Sequence, residues 1–236
     1  WFMKIKHLLA VFTVILSVSS VFSQDKKFKV HTVAFYNLEN IFDTINNPDT
    51  YDEEYTPVNG WNTKNYKKKL DNLSRVLIEL GTSENQKNSP VIIGGCEIEN
   101  RGVLEDLVKH PTLINKGYKI VHFDSPDKRG IDVGFLYQEK HFQPTSYINV
   151  PLYVYESEST SDKKNKKEEE EVEENVNYDK KTKRIYTRDQ LLVTGLLDGE
   201  EINIIVNHWP SRSGGEKRSS PYREAAGRLN RKIIDS

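Results

Sequence analysis

Residues 90–96, PVIIGGC, form an uninterrupted apolar run that stops on Glu97. A continuous apolar run of this length is the mark of a strand buried on both faces, so the sheet it joins needs cover on each side. Its end is the informative part. A carboxylate closing a fully apolar strand costs on the order of several kcal/mol to bury unless it meets a cation or a metal. Glu97 is therefore a functional candidate, the alternative being a strand-end carboxylate that reaches solvent. With a period of two, Glu97 and Glu99 share a face and Ile98 takes the other, unless the chain turns between them.

A second strand ends in polar chemistry of the same kind. Ile202, Ile204 and Val206 alternate with Asn203 and Ile205, and Asn207, His208, Trp209, Pro210, Ser211 and Arg212 crowd its exit before the chain breaks at Gly214 and Gly215. A strand that delivers His and Arg to its carboxyl end and then breaks reads as a rigid support for an anion-handling loop. Asp198-Gly199 makes a hairpin turn back to the apolar residues 191–197, which places Arg188 beside His208.

The rest of the chain reads as scaffold. A first strand over 29–36 hands over to a polar turn at Asn37-Leu38-Glu39-Asn40. Thr63 caps an amphipathic helix carrying Leu70, Leu73, Val76, Leu77 and Leu80, and Gly81 stops it. A short helix over 103–108 and a strand over 118–123 follow, then a turn at 124–130 and an apolar strand over 131–137. Asp132 lies inside that strand; a buried Asp needs a donor, and a His from a neighbouring strand is the natural one. A last helix spans 219–236.

At 236 residues, with a net charge of −1 and 36% hydrophobic content, the chain suits one globular domain of moderate size. Residues 1–23 read as a secretory signal peptide, with a basic start from Met3, an apolar run over 8–18 and small residues before Gln24. The apolar run is too short for a stable membrane span, and none is expected after cleavage. The expected product is secreted, periplasmic or extracellular, with the domain over 24–236. The single cysteine, Cys96, forms no intrachain bridge and reads as a buried bystander. Residues 156–183 are dense in Glu and Lys and cannot order themselves by apolar burial, so they read as a disordered, solvated insertion.

Asn37, Glu97, Asp132, Arg188, Asn207 and His208 thus fall at or inside strand ends spread over the chain. Their carboxylate and amide oxygens suit a hard divalent cation, Mg²⁺, Ca²⁺ or Mn²⁺, with water filling the remaining positions. Such an ion polarises a phosphoryl oxygen, Arg188 clamps the phosphate, and His208, oriented by a carboxylate, moves the proton.

The series FYNLEN, GGCEIEN, RGIDVGFLY, TRDQLLVTG and VNHWPSR-SGG, followed by SSPYREAAGRL, resembles the endonuclease/exonuclease/phosphatase superfamily from about Val30 to the last residue. The resemblance implies a four-layer α/β/β/α sandwich of two packed mixed sheets and metal-dependent hydrolysis of a phosphate ester. It assigns Asn37 and Glu97 to the metal, with Asn37, Arg188 and Arg212 toward the substrate phosphate. Asn207 and His208 become catalytic, and Asp132 the carboxylate that orients His208. The family pattern continues with a strand ending in a Gly-Asp-Phe-Asn-type motif and an Asp-His pair, which this sequence lacks, so a C-terminally truncated domain is expected. The reading is a monomeric phosphodiesterase, an endonuclease acting on nucleic acid. The alternatives are a non-catalytic secreted binding module, an inactive fragment of the same fold, or a phosphatase or phospholipase type of enzyme.

Overall fold

The computed structural model describes residues 28–157, 182–212 and 215–236. The expected signal peptide and residues 158–181 of the expected insertion lie outside the described residues. The chain divides into a unit of residues 1–31 and a unit of residues 32–236. Of the first, residues 28–31 have no regular secondary structure; the second carries every element below. In chain order these are β1 (Val33–Ile41), α1 (Thr63–Glu79), β2 (Ile92–Ile98), α2 (Arg101–Lys109), β3 (Tyr118–His122), β4 (Asp132–Gln138), β5 (Phe142–Val150), β6 (Val154–Ser157), β7 (Thr182–Ile185), β8 (Gln190–Leu197), β9 (Glu200–Val206) and α3 (Glu216–Ile234).

Two sheets pack face to face. The first has the order β1-β2-β4-β3, with β1 parallel to β2 and the other pairs antiparallel. The second, β5-β8-β9, is antiparallel throughout, its strands β8 and β9 joined by the Asp198-Gly199 turn with both residues at positive φ. Period-two alternation sorts the first sheet's side chains. Leu136 of β4 joins Ile93 and Ile98 of β2 under the apolar stripes of α1 and α2, which supply Leu70, Leu73, Leu77, Val103, Leu104 and Leu107. Val133 and Phe135, from the other face of β4, join Ile92 and Cys96 and meet Phe142, Leu191, Val193 and Val206 of the second sheet. Gly94 matters here: a Cβ on it would lie 3.2 Å from the Val206 side chain, so glycine lets the sheets approach at this point.

The α/β/β/α order therefore holds, but of the two sheets expected to be mixed only the first is, the second being wholly antiparallel. The fourth layer is α3, which docks through Ala226 onto Leu152 and Val154 beside the β6–β7 hairpin. The Gln190 amide of β8 donates to the Ala226 carbonyl at 2.9 Å and ties that helix to the second sheet.

Several boundaries differ from the sequence reading. Helix α1 is capped by Asn62, whose side chain accepts from the Lys64 and Asn65 amides, so Thr63 is the first helical residue and not the cap. Gly81, at φ +67, follows its end as expected. Helix α3 begins at Glu216 and includes Pro221. Strand β5 gave no sequence signal because it is an edge strand, mostly exposed, with Pro144 at a register shift that an edge tolerates. The first and last two residues of the expected insertion, 156–157 and 182–183, belong to β6 and β7. Among the described residues no helix is long and apolar enough to cross a membrane.

Candidate active site

The carboxyl end of β2 departs from regular strand geometry at the residue the sequence singles out. Cys96 opposes Val133 and Ile98 opposes Asp132, so Glu97 is an extra, bulged residue on β2, and its φ is +59. On the other side Asn37 opposes Cys96 and Ile41 opposes Ile98, so β1 loops out at the same level, with Glu39 and Asn40 also at positive φ. Three non-glycine residues in the left-handed region at one sheet end are strained, and such strain is concentrated at functional sites. The bulge also separates the two glutamates that plain alternation would put on one face. Glu99 turns away to accept the Asp43 amide at 2.6 Å, and burial, with Asp43 and Asp52 nearby, pushes its carboxyl up to about 7.

Glu97 instead faces His208, with 3.6 Å between its Oε1 and the imidazole Nε2. The two come from different sheets, β2 and the exit of β9, so the contact bridges the sandwich. Burial and the neighbouring Arg188 lower the His208 pKa to about 4, against the opposing pull of Glu97, so the imidazole is neutral at pH 7. The His208 Nδ1 and the Asn207 Oδ1 are both buried and have no hydrogen-bond partner. Buried polar atoms without a protein partner call for a water or a polar ligand, and here two lie on adjacent residues at a sheet end.

Arg188 is beside His208 as the hairpin requires, and its contacts are specific. Its Nε donates to the His208 carbonyl at 3.2 Å, its Nη2 to the Trp209 carbonyl at 3.0 Å, and its Nη1 to the Asp127 carboxylate at 2.9 Å. Both Arg188 and Asp127 are buried. The guanidinium thus holds the backbone of the His208 loop, and Asp127 neutralises it. Sequence reasoning missed Asp127 because it sits in a turn where its own Oδ1 accepts the Arg129 amide, a local pattern indistinguishable from any Asx turn. It also missed Arg129, whose exposed guanidinium lies 3.7 Å from Asp127, and Lys69, which sits within electrostatic range of Glu97 while donating to the Glu39 carbonyl.

Asp132 does not reach His208. Position 132 shares the helix-side face of β4 with Leu136, whereas His208 lies off the end of the second sheet, beyond the opposite face. The rule that a buried Asp takes a His from a neighbouring strand still operates, but the His is His122 of β3. Its Nε2 lies 3.1 Å from Asp132 Oδ2 with the ring N–H off line, and the other carboxylate oxygen accepts the Ser125 amide at 2.7 Å. With Asp124, these two residues also form a group compact enough to hold a cation. Arg212 is exposed and pairs with Glu216 at 3.1 Å across the first turn of α3. Cys96 is buried, with its thiol pushed up to about 12 by that burial, as a bystander should be.

Among the described residues Glu97 offers a carboxylate at this end, and Asn37, opposite Cys96 on β1, offers a carboxamide whose Oδ1 already accepts the Glu39 amide. One or two protein oxygens with the remainder supplied by water and substrate is the coordination habit of Mg²⁺, so the residues fit a hard divalent ion.

The sequence pattern of the endonuclease/exonuclease/phosphatase family matches residues 32–177 and 162–236. Among solved structures, humanized D. rerio TDP2 carrying 14 mutations is 11% identical at a TM-score of 0.47, covering 86% of this chain and 55% of that one. The human Nocturnin catalytic domain with bound sulfate is 16% identical at a TM-score of 0.38, covering 62% and 47%. The chain spans about half the length of these structures. No curated protein matches it.

Proposed function

Since the chain belongs to the endonuclease/exonuclease/phosphatase family, we propose that it is a divalent-metal-dependent phosphodiesterase, exported from the cell, working at the Glu97–His208 end of the sandwich. The observation that carries this reading is the 3.6 Å approach of a strained, bulged glutamate to an imidazole delivered by the other sheet.

Glu97 and Asn37 would hold the ion, which when bound supplies charge stabilisation for the phosphoryl oxygens. Asn207, whose Oδ1 is unpartnered, would accept a hydrogen bond from a water and so orient it. His208 enters the reaction neutral, because burial and Arg188 disfavour its cation; it is therefore ready to accept a proton at Nε2 from an attacking water or to hold one against the leaving oxygen. Arg188 acts chiefly through position: by gripping the carbonyls of His208 and Trp209 it fixes the imidazole, while Arg129, exposed beside Asp127, is the guanidinium that would meet a phosphate.

The test is hydrolysis of methyl p-nitrophenyl phosphate and nicking of a plasmid, each with and without chelator. The expected result is cleavage that chelation abolishes and Mg²⁺ or Mn²⁺ restores. Turnover unaffected by chelation, in wild type and Glu97→Gln alike, would overturn the reading.

A further inference from the structure

A cleft of about 450 Å³ opens against the His208 loop, between the β6–β7 hairpin and the start of α3. One wall is basic, with Arg129 and the buried Arg188 that grips the His208 carbonyl. The lining also carries aromatic and apolar side chains, Tyr186, Tyr222, Val154 and Ile185. The buried Thr187 hydroxyl in its lining makes no hydrogen bond to protein.

The aromatic wall is built up in layers. The Arg184 guanidinium lies 4.8 Å from the Tyr186 ring centroid and 4.7 Å from that of Tyr153, so Tyr186 is braced from behind. Tyr186 is nevertheless 45% exposed and lines the cleft. A partly open aromatic face beside the exposed Arg129 guanidinium is an arrangement suited to a planar ring carrying a phosphate. An inositol phosphate or a phospholipid head group would use the arginines and leave the tyrosines idle. The volume lies in the range of roughly 300–1,000 Å³ typical of small-ligand sites, and a base enters such a concavity only after leaving its stack.

We propose that this cleft is a nucleobase subsite adjoining the scissile phosphate, and that it makes the protein select a nucleoside phosphate presented unstacked, as a free nucleotide or in a single strand. The inference rests on the phosphodiesterase reading and narrows its substrate class. None of the cleft's lining residues was a candidate from the sequence except Arg188, because Tyr186 and Tyr222 are separated by 36 positions and meet only through the docking of α3 on the hairpin.

The test is equilibrium binding to the full chain with Ca²⁺ present, comparing adenosine 5′-monophosphate, ribose 5-phosphate, a single-stranded tetranucleotide and the corresponding duplex. The monophosphate should bind at least about tenfold more tightly than ribose 5-phosphate, the size of one base–aromatic stack. Tyr186→Leu should erase that preference without changing ribose 5-phosphate affinity, and Tyr186→Trp should keep it. A tetranucleotide tighter than the monophosphate identifies the strand as ligand, and equal affinities identify the free nucleotide; either supports the subsite. Equal binding of monophosphate and ribose 5-phosphate, a preference untouched by Tyr186→Leu, or a duplex bound as well as the single strand overturns it. Absence of binding by all four also overturns the subsite, while chelator-sensitive hydrolysis of methyl p-nitrophenyl phosphate would leave the phosphodiesterase reading standing.

Discussion

Of the histidine–carboxylate pairs among the described residues, two at the sandwich differ most tellingly in what surrounds them. His122 and Asp132 lie 3.1 Å apart with side chains 2% and 4% exposed, inside the face that α1 and α2 cover. His208 and Glu97 lie 3.6 Å apart with side chains 20% and 17% exposed, at a sheet end where both β1 and β2 lose register. The first pair has its remaining carboxylate oxygen satisfied by the Ser125 amide, though the buried His122 Nε2 also lacks a well-aligned hydrogen bond. The second leaves the imidazole Nδ1, and the neighbouring Asn207 oxygen, with no partner. The same two functional groups are thus sealed away in one place and, on the proposed function, available for chemistry at a strained and open sheet end in the other.

The sharpest way to break that contrast is to remove each imidazole's role in turn. His208→Ala should lower turnover by roughly 10²-fold or more while the protein stays folded, as expected for loss of acid–base help at the reacting centre. Asp132→Asn should do the reverse, losing about 1–3 kcal/mol of stability in urea denaturation with turnover little changed once folded. Equal effects of the two substitutions on turnover would erase the distinction between the pairs.

Asp127→Ala probes the support of the open pair. It strands the buried Arg188 guanidinium and should destabilise the fold by about 3–5 kcal/mol. If the latch positions His208, turnover by the folded fraction falls while KM holds, and Asp127→Glu recovers part of it; a loss of stability alone would reduce Arg188 to scaffold.

Smaller effects follow from pH in the metal-free protein. The fold holds His208 neutral, so this contribution is complete above about 6.5 and is lost as pH falls toward about 4. Glu99 runs the other way: the fold favours its protonated form, and stability is lost as pH rises from about 4.5 through about 7. Glu99→Gln should therefore raise stability at pH 8 and change little at pH 4, measured by denaturant midpoints. His208→Gln should flatten the loss between pH 6.5 and 4.

The sequence makes the scaffold and half of the site legible, for different physical reasons. The run ending at Cys96 and the alternation from Ile202 to Val206 announce two strands, and the polar residues crowding their exits mark Glu97 and His208 as candidates. Asp198-Gly199 fixes the hairpin, and with it the contact of Arg188 with the His208 backbone. What stays hidden depends on faces and on distant pairings. The bulge at Glu97, which sends Glu99 elsewhere, follows from a register mismatch among three strands that no local pattern encodes. Asp132 goes to His122 because positions 132 and 136 share a face, a parity settled only when β4 packs. Strand β5 escapes because an exposed edge has little alternation to read.

Paramagnetic relaxation separates the two pairs in one measurement. Substoichiometric Mn²⁺ added to protein with labelled histidines should broaden the imidazole resonances of His208 first, with Glu97→Gln abolishing the effect and His122 affected only at higher concentration. Broadening of His122 ahead of His208, or broadening of His208 that persists in Glu97→Gln, would contradict the assignment of the divalent-ion site to the open end of the sandwich.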